Sequence, residues 1–137
     1  MKEHDRALAH KLASDVRAQP RECYRNALLA LIHVPGGEYI EGLLMLASGP
    51  VIYHGWLETQ TSLLDVTLHN EQADHYVPVL HYTQHQIWQI LNERDPLVVP
   101  LYNLLPAWRT QMIEAERNWW AQHRGGRGDR RRWTAMS

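Results

Sequence analysis

Three side chains in this 137-residue chain have the types that nucleophilic acyl chemistry requires: the thiol of Cys23, the imidazole of His54 and the carboxylate of Asp65. A thiol attacks a carbonyl well only when its proton is easily lost, a base lies within reach and a further group orients that base. Cys23 is the single cysteine, so it has no disulfide partner within the chain, and any zinc site built on two thiolates is excluded. It is a buried structural thiol or a reactive one.

Local patterning says which elements carry these three. Residues 5–17 repeat apolar side chains at Leu8, Leu12 and Val16, a spacing of four that predicts an amphipathic helix. Gln19-Pro20 interrupts it, and Pro20 suits the opening of a second helix carrying Cys23, Ala27, Leu28, Leu31 and Ile32. Cys23 then lies in a first turn. There the helix dipole supplies about half a positive charge, which favours thiolate, and unpaired N–H groups can hold an oxyanion. From Glu38 the period changes, and 38–48, 51–58, 62–68 and 76–82 read as strands. The last belongs at a sheet edge, because Pro78 cannot donate to a ladder. Thr83 is the expected N-cap of a helix running to Asn92. Residues 97–105, punctuated by Pro100, form a strand or a packed loop. Pro106 opens a last long helix with Trp108, Met112, Ala115 and Trp119 on one stripe.

Strand geometry brings His54 and Asp65 together. A turn centred between Thr59 and Gln60 opposes Glu58 to Thr61 and His54 to Asp65. Directly opposed side chains share a face, with Cβ atoms about 4.5–5.5 Å apart. The carboxylate then takes one imidazole nitrogen and leaves the other for the thiol. A slip of one residue would put the pair on opposite faces.

His-Gly-Trp-Leu-Glu (54–58) followed by Leu-Asp-Val-Thr (64–67) resembles the transglutaminase-like core, in which an H-x-W-x-E strand is followed by a D-P-T strand. Upstream, Cys-Tyr-Arg-Asn-Ala-Leu-Leu-Ala-Leu (23–31) leads through a Gly-containing loop to Tyr39-Ile40-Glu41-Gly42. That is similar to the same family's cysteine helix and its Y-x-x-G strand. The resemblance covers roughly residues 20–68 and implies Cys23 as nucleophile, His54 as base, Asp65 as orienter and Trp56 as packing behind the site. Papain-like enzymes, which share this chemistry, use a Gln before the cysteine as oxyanion donor, a role that would fall to Gln19. Tyr24 would be cleft wall or core. Two features depart from the pattern: Arg21-Glu22 stands where a small residue is common, and Val66 where a Pro follows the aspartate.

Other readings attach to several residues. His54 could be a core histidine bonded to a carbonyl. Asp65, set between Leu64 and Val66, needs a partner in any case, because an unpaired carboxylate in an apolar strand is costly. Asn26 is a helix-surface polar residue or a structural hydrogen-bonder, and Glu22 a solvated first-turn acid. His81 and His85 are four apart, but Thr83 caps a helix between them, so they do not share a helical face. His69, Asp74 and His75 read as a solvated loop, and no metal or cofactor is expected. Trp119-Trp120 reads as packing, and Gly-Arg-Gly-Asp (126–129) as chance.

Charge is uneven although the formal net is −1. Arg124, Arg127, Arg130, Arg131 and Arg132 leave an acidic body and a basic end that is expected to be disordered and open to weak electrostatic partners. No apolar run resembles a secretory leader or reaches the roughly 18 residues of a membrane span, so a cytoplasmic protein without membrane contact is expected.

The expected fold is α+β, a cysteine-bearing helix packed on an antiparallel sheet of about four strands, a papain-like or transglutaminase-like core with flanking helices. Residues 1–124 form one catalytic-type domain and 125–137 a tail. The expected function is thiol-dependent hydrolysis or transfer at an amide, in a protein, peptide or small-molecule substrate. The alternatives are a non-catalytic binding protein on the same fold, or a nucleic-acid-associated protein using the arginine tail. Oligomeric state is not legible.

Overall fold

A computed structural model describes residues 2–46, 49–68, 73–94, 99–123 and 134–135. It is a mixed α/β fold of four helices around one open sheet. The helices are α1 (Arg6–Val16), α2 (Cys23–Leu31), α3 (Gln84–Glu93) and α4 (Pro106–Gln122). The strands are β1 (Glu3–His4), β2 (Glu38–Leu46), β3 (Val51–Glu58), β4 (Ser62–Leu64), β5 (Ala73–Thr83) and β6 (Thr134–Ala135). Their order across the sheet is β1-β4-β3-β2-β5, with β6 beside β3.

The sheet is mixed rather than purely antiparallel. Glu3 and His4 add parallel to Ser62 and Leu63, and Thr134 and Ala135, inside the expected disordered tail, add parallel to Ile52 and Tyr53. The remainder of that tail, 125–133 and 136–137, lies outside the described residues, as do Arg124, His69 and the side chain of Asp74. β5 is an edge strand, as Pro78 requires. Pro78 faces Gly42 beside a register shift, so its missing N–H interrupts no ladder.

Elements begin where side chains satisfy their free ends. Thr83 accepts from Gln86 N while the Gln86 side chain bonds Thr83 N, a reciprocal box that opens α3. Pro106 sits at the start of α4. Asp5 caps α1 through Leu8 N. In α1 the buried face is Ala9, Leu12 and Ala13, while Leu8 is exposed. The spacing of four had included Leu8; the small alanines allow closer approach and turn the inward face by one residue. Residues 99–105 are the packed-loop alternative, with a 3-10 turn at Leu101–Asn103.

Alternation along the strands divides the core in two. Tyr39, Leu43, Leu57 and Leu64 join Cys23, Tyr24 and Ala27 on the helix-covered face. Ile40, Leu44, Ile52, Trp56, Leu63 and Tyr76 form a smaller cluster on the other. Two glycines permit this. A Cβ on Gly55 would stand 2.8 Å from the Tyr24 ring, so only glycine lets α2 sit against β3 there. A Cβ on Gly42 would stand 2.2 Å from the Val77 carbonyl oxygen and 2.9 Å from the Trp56 indole. Because the first of those is backbone, Gly42→Ala is expected to lower stability by about 3 kcal/mol in urea unfolding followed by Trp fluorescence. An unchanged midpoint would show that β5 yields freely at this position.

Candidate functional site

Glu22 is the N-cap of α2 but makes no side-chain cap bond, and Arg21 before it has a left-handed backbone, φ 64°. This abrupt entry makes Cys23 the first residue of α2. The N–H groups of its first turn precede the first intrahelical acceptor, since the earliest helix bond is Asn26 N to Glu22 O. Cys23 is completely buried.

His54 and Asp65 are also completely buried, and they are paired: imidazole Nε2 lies 2.8 Å from Asp65 Oδ2. The register differs from the expected one. Leu57 faces Leu64 and Glu58 faces Leu63, so extending the ladder sets Asp65 against Trp56 rather than His54. The slip is two residues, which preserves the face, and His54 reaches Asp65 on the diagonal. β4 ends at Leu64, short of the expected Leu68, because the Asp65 carboxylate turns the chain by accepting Leu68 N at 3.0 Å.

The His54 ring is also within electrostatic reach of Cys23. Nδ1 makes no hydrogen bond and is the ring atom not engaged by Asp65. Alternation puts His54 on the face with Trp56, whereas Cys23 packs with the opposite cluster. Among the described residues β4 pairs with β3 at Leu57 and Glu58 and β6 at Ile52 and Tyr53, which leaves His54, Gly55 and Trp56 unpaired on that edge. The glycine at position 55 brings the first turn of α2 to that unpaired stretch.

Burial alone would push His54 down, but the charges of Asp65 and Cys23 override it and hold the ring up at about 10. Burial would likewise raise Asp65, yet His54, the Tyr76 hydroxyl and Leu68 N–H hold it below its ordinary value. The stabilisation from charged His54 is complete below about pH 6.5 and is lost as pH rises through about 10. That from ionised Asp65 is present above about pH 4 and is lost on acidification.

The other expected residues divide. Trp56 is fully buried, stacks on His54 at 6.1 Å and donates to Glu58, so it packs behind the imidazole. Tyr24 is core, edge-on to Tyr102. Gln19 is exposed, and its amide donates to Arg17 O at 3.1 Å, so it is not turned to the thiol as an oxyanion donor. The left-handed turn at Arg21 accounts for this, since a four-residue spacing through a break does not follow helical geometry. His81 lies in β5 with Nδ1 3.4 Å from Glu38, and His85 in α3. Among the described residues no group of three potential ligands could hold a metal. No described helix is long and apolar enough to cross a membrane.

The contacts of Tyr76 and His4 escaped sequence reasoning, whereas Asn26 is the structural hydrogen-bonder of its two expected alternatives. Tyr76 Oη donates to Asp65 Oδ2 at 2.7 Å, and His4 Nε2 lies 3.2 Å from Asp65 N. Asn26, fully buried, bonds both the N and O of Gln19 and donates to Thr67 Oγ1 at 2.9 Å. It therefore ties the approach to Cys23 to the turn that carries Asp65. The available signal was a polar residue one turn along the apolar face of α2.

Glu41, like Asp65, is an acid with no solvent exposure. It accepts from Tyr39 Oη at 2.5 Å, Leu101 N at 2.6 Å and Tyr102 N at 2.7 Å, latching the 3-10 turn to the sheet. Burial raises its carboxyl to about 7 against the pull of those three donors. A raised acid stabilises the fold fully below about pH 4.5 and loses that contribution as pH climbs through 7. The Glu41→Gln variant should therefore abolish a decline in unfolding free energy on the order of 3 kcal/mol between these limits, measured as the difference from wild type in urea titrations at each pH. Parallel pH profiles would sink this assignment.

No family model, curated protein or solved structure matches this chain.

Proposed function

We propose that the protein is a thiol-dependent acyl hydrolase or transferase acting on an amide, with Cys23 as nucleophile, His54 as base and Asp65 as orienter. The observation that carries this reading is the buried His54–Asp65 pair, from a strand and a turn, with Cys23 at a helix start within electrostatic reach of the same imidazole. The order of cysteine helix, histidine strand and aspartate, which resembles transglutaminase-like and papain-like enzymes, supports it. A lone thiol also fits a reducing compartment such as the cytoplasm.

In the mechanism, His54 already holds the proton given up by Cys23 as an imidazolium, and the sulfur anion adds to the amide carbon. The oxyanion is held by N–H groups in the first turn of α2. His54 returns the proton to the departing amine, leaving a thioester. Water or a second amine then attacks the thioester with His54 again as base, regenerating the thiol. Asp65 fixes the ring and stabilises the imidazolium throughout.

Because all three residues are closed to solvent, turnover requires a cover to move. We propose Tyr102 as that cover. It is 7% exposed, edge-on to Tyr24 and within electrostatic reach of Cys23. Iodoacetamide should alkylate Cys23 faster than a free thiol at neutral pH, and Cys23→Ala should lose both the adduct and any turnover. Tyr102→Ala should raise the labelling rate of the folded protein roughly tenfold, the factor expected for about 1.4 kcal/mol removed from an opening step. Wild-type labelling at or below the free-thiol rate, with no gain in Tyr102→Ala, would leave no thiol enzyme.

The sealed thiol also favours a second reading, in which the same network is structural in a non-catalytic binding protein. Inert Cys23 together with strong destabilisation by Asp65→Ala would select it.

A further inference from the structure

We infer that Tyr76 is a fourth, positioning member of this constellation, holding the Asp65 carboxylate in the ionised, oriented state that His54 needs. The inference rests on the thiol reading above and extends it to a residue two strands away in the sheet.

Both carboxylate oxygens of Asp65 are engaged. Oδ1 is occupied by Leu68 N at 3.0 Å. Oδ2 receives two groups, His54 Nε2 at 2.8 Å and Tyr76 Oη at 2.7 Å, in a site closed to water. A phenol has one proton to donate, and here it goes to the oxygen that orients the imidazole. Tyr76 is itself held in place. Its ring is edge-on to Trp56 at 5.1 Å, and Trp56 stacks on His54, so phenol, indole and imidazole brace one another around the carboxylate. The ring also meets His4 edge-on at 6.3 Å.

A packing residue needs only the ring; a donor to a buried carboxylate does more. It lowers the energy of the anion relative to the acid, which opposes the strong tendency of a dry site to protonate Asp65. Without the phenol proton, Asp65 takes up a proton at higher pH, His54 loses its counter-charge, and the base no longer holds the thiol proton. The titratable and charged groups facing this carboxylate are His54 from β3, Tyr76 from β5, His4 from β1 and Cys23, through His54, from α2. Arg6 of α1 acts on Tyr76. Among these, Tyr76 alone donates to Oδ2 without belonging to the triad.

The test is the pH dependence of Cys23 alkylation by iodoacetamide in the full-length chain, with melting temperature read in parallel. Tyr76→Phe keeps the ring and removes the donor, and should move the acid limb of the profile up by about one pH unit, the scale of one hydrogen bond to a charged group. Incorporation of fluorotyrosine at position 76 makes the phenol a stronger donor and should move the same limb down, which preserves the test should Tyr76→Phe fail to fold. Displacement in these opposite directions supports the role. A melting temperature that drops while both profiles superimpose on wild type makes Tyr76 packing only and overturns it. Wild-type Cys23 that reacts no faster than a free thiol at every pH overturns the thiol reading itself, and this role with it.

Discussion

The buried contact between His54 and Asp65 constrains everything around it. Two ionisable groups with no solvent exposure cannot stand alone, because each would bear a desolvation penalty of several kcal/mol. The fold resolves this by pairing them at 2.8 Å and surrounding the carboxylate with a phenol and a backbone N–H. β4 stops at Leu64 so that the chain can turn through Asp65. β3 must put an imidazole rather than an apolar side chain between Ile52 and Trp56, and Tyr76 must come from the far edge strand to complete the donors. Replacing either partner alone would leave the other buried and charged, so the pair is retained or lost together.

A second acid imposes a similar constraint on the opposite face. Glu41 serves two backbone N–H groups and a phenol, and so holds the Leu101–Asn103 turn against the sheet over Tyr24 and Tyr53. Glu41 and Asp65 lie on different sides of the sheet. Their preferences with pH differ. Asp65 is held ionised by its donors, whereas Glu41 is raised to near neutrality by burial that outweighs its own. The difference is that Asp65 has a cationic imidazole beside it and Glu41 has only neutral donors.

The proposed chemistry draws on an arrangement that is assembled but closed. In the proposed reading, a thiol at a helix start, an imidazole within its electrostatic reach and a carboxylate on the far nitrogen would serve as nucleophile, base and orienter. Their complete burial excludes water until the cover shifts, and a dry site strengthens each electrostatic contact within it. The same burial makes the arrangement useful as a structural staple. Access, rather than the identity of the three residues, separates a catalyst from a structural core.

Much of the scaffold was legible because local rules suffice for it. The apolar spacing of α2, the Thr83 cap with Gln86, the proline at the start of α4 and the bounds of β3 are written in neighbouring residues. The face shared by His54 and Asp65 was also legible, since strand alternation survives a register slip of two. The sequence by itself therefore determined which residue types meet, and on which kinds of element. It could not determine what lies across the sheet. Tyr76 reaches Asp65 only through the β2–β5 register, Asn26 meets Thr67 forty-one residues away, and the parallel addition of Glu3–His4 has no local signature. Nor could it show that Gln19 turns away or that Cys23 is sealed, because both depend on the left-handed entry at Arg21 and on what packs above α2. Those are long-range matters of space and closure, which only the folded chain decides.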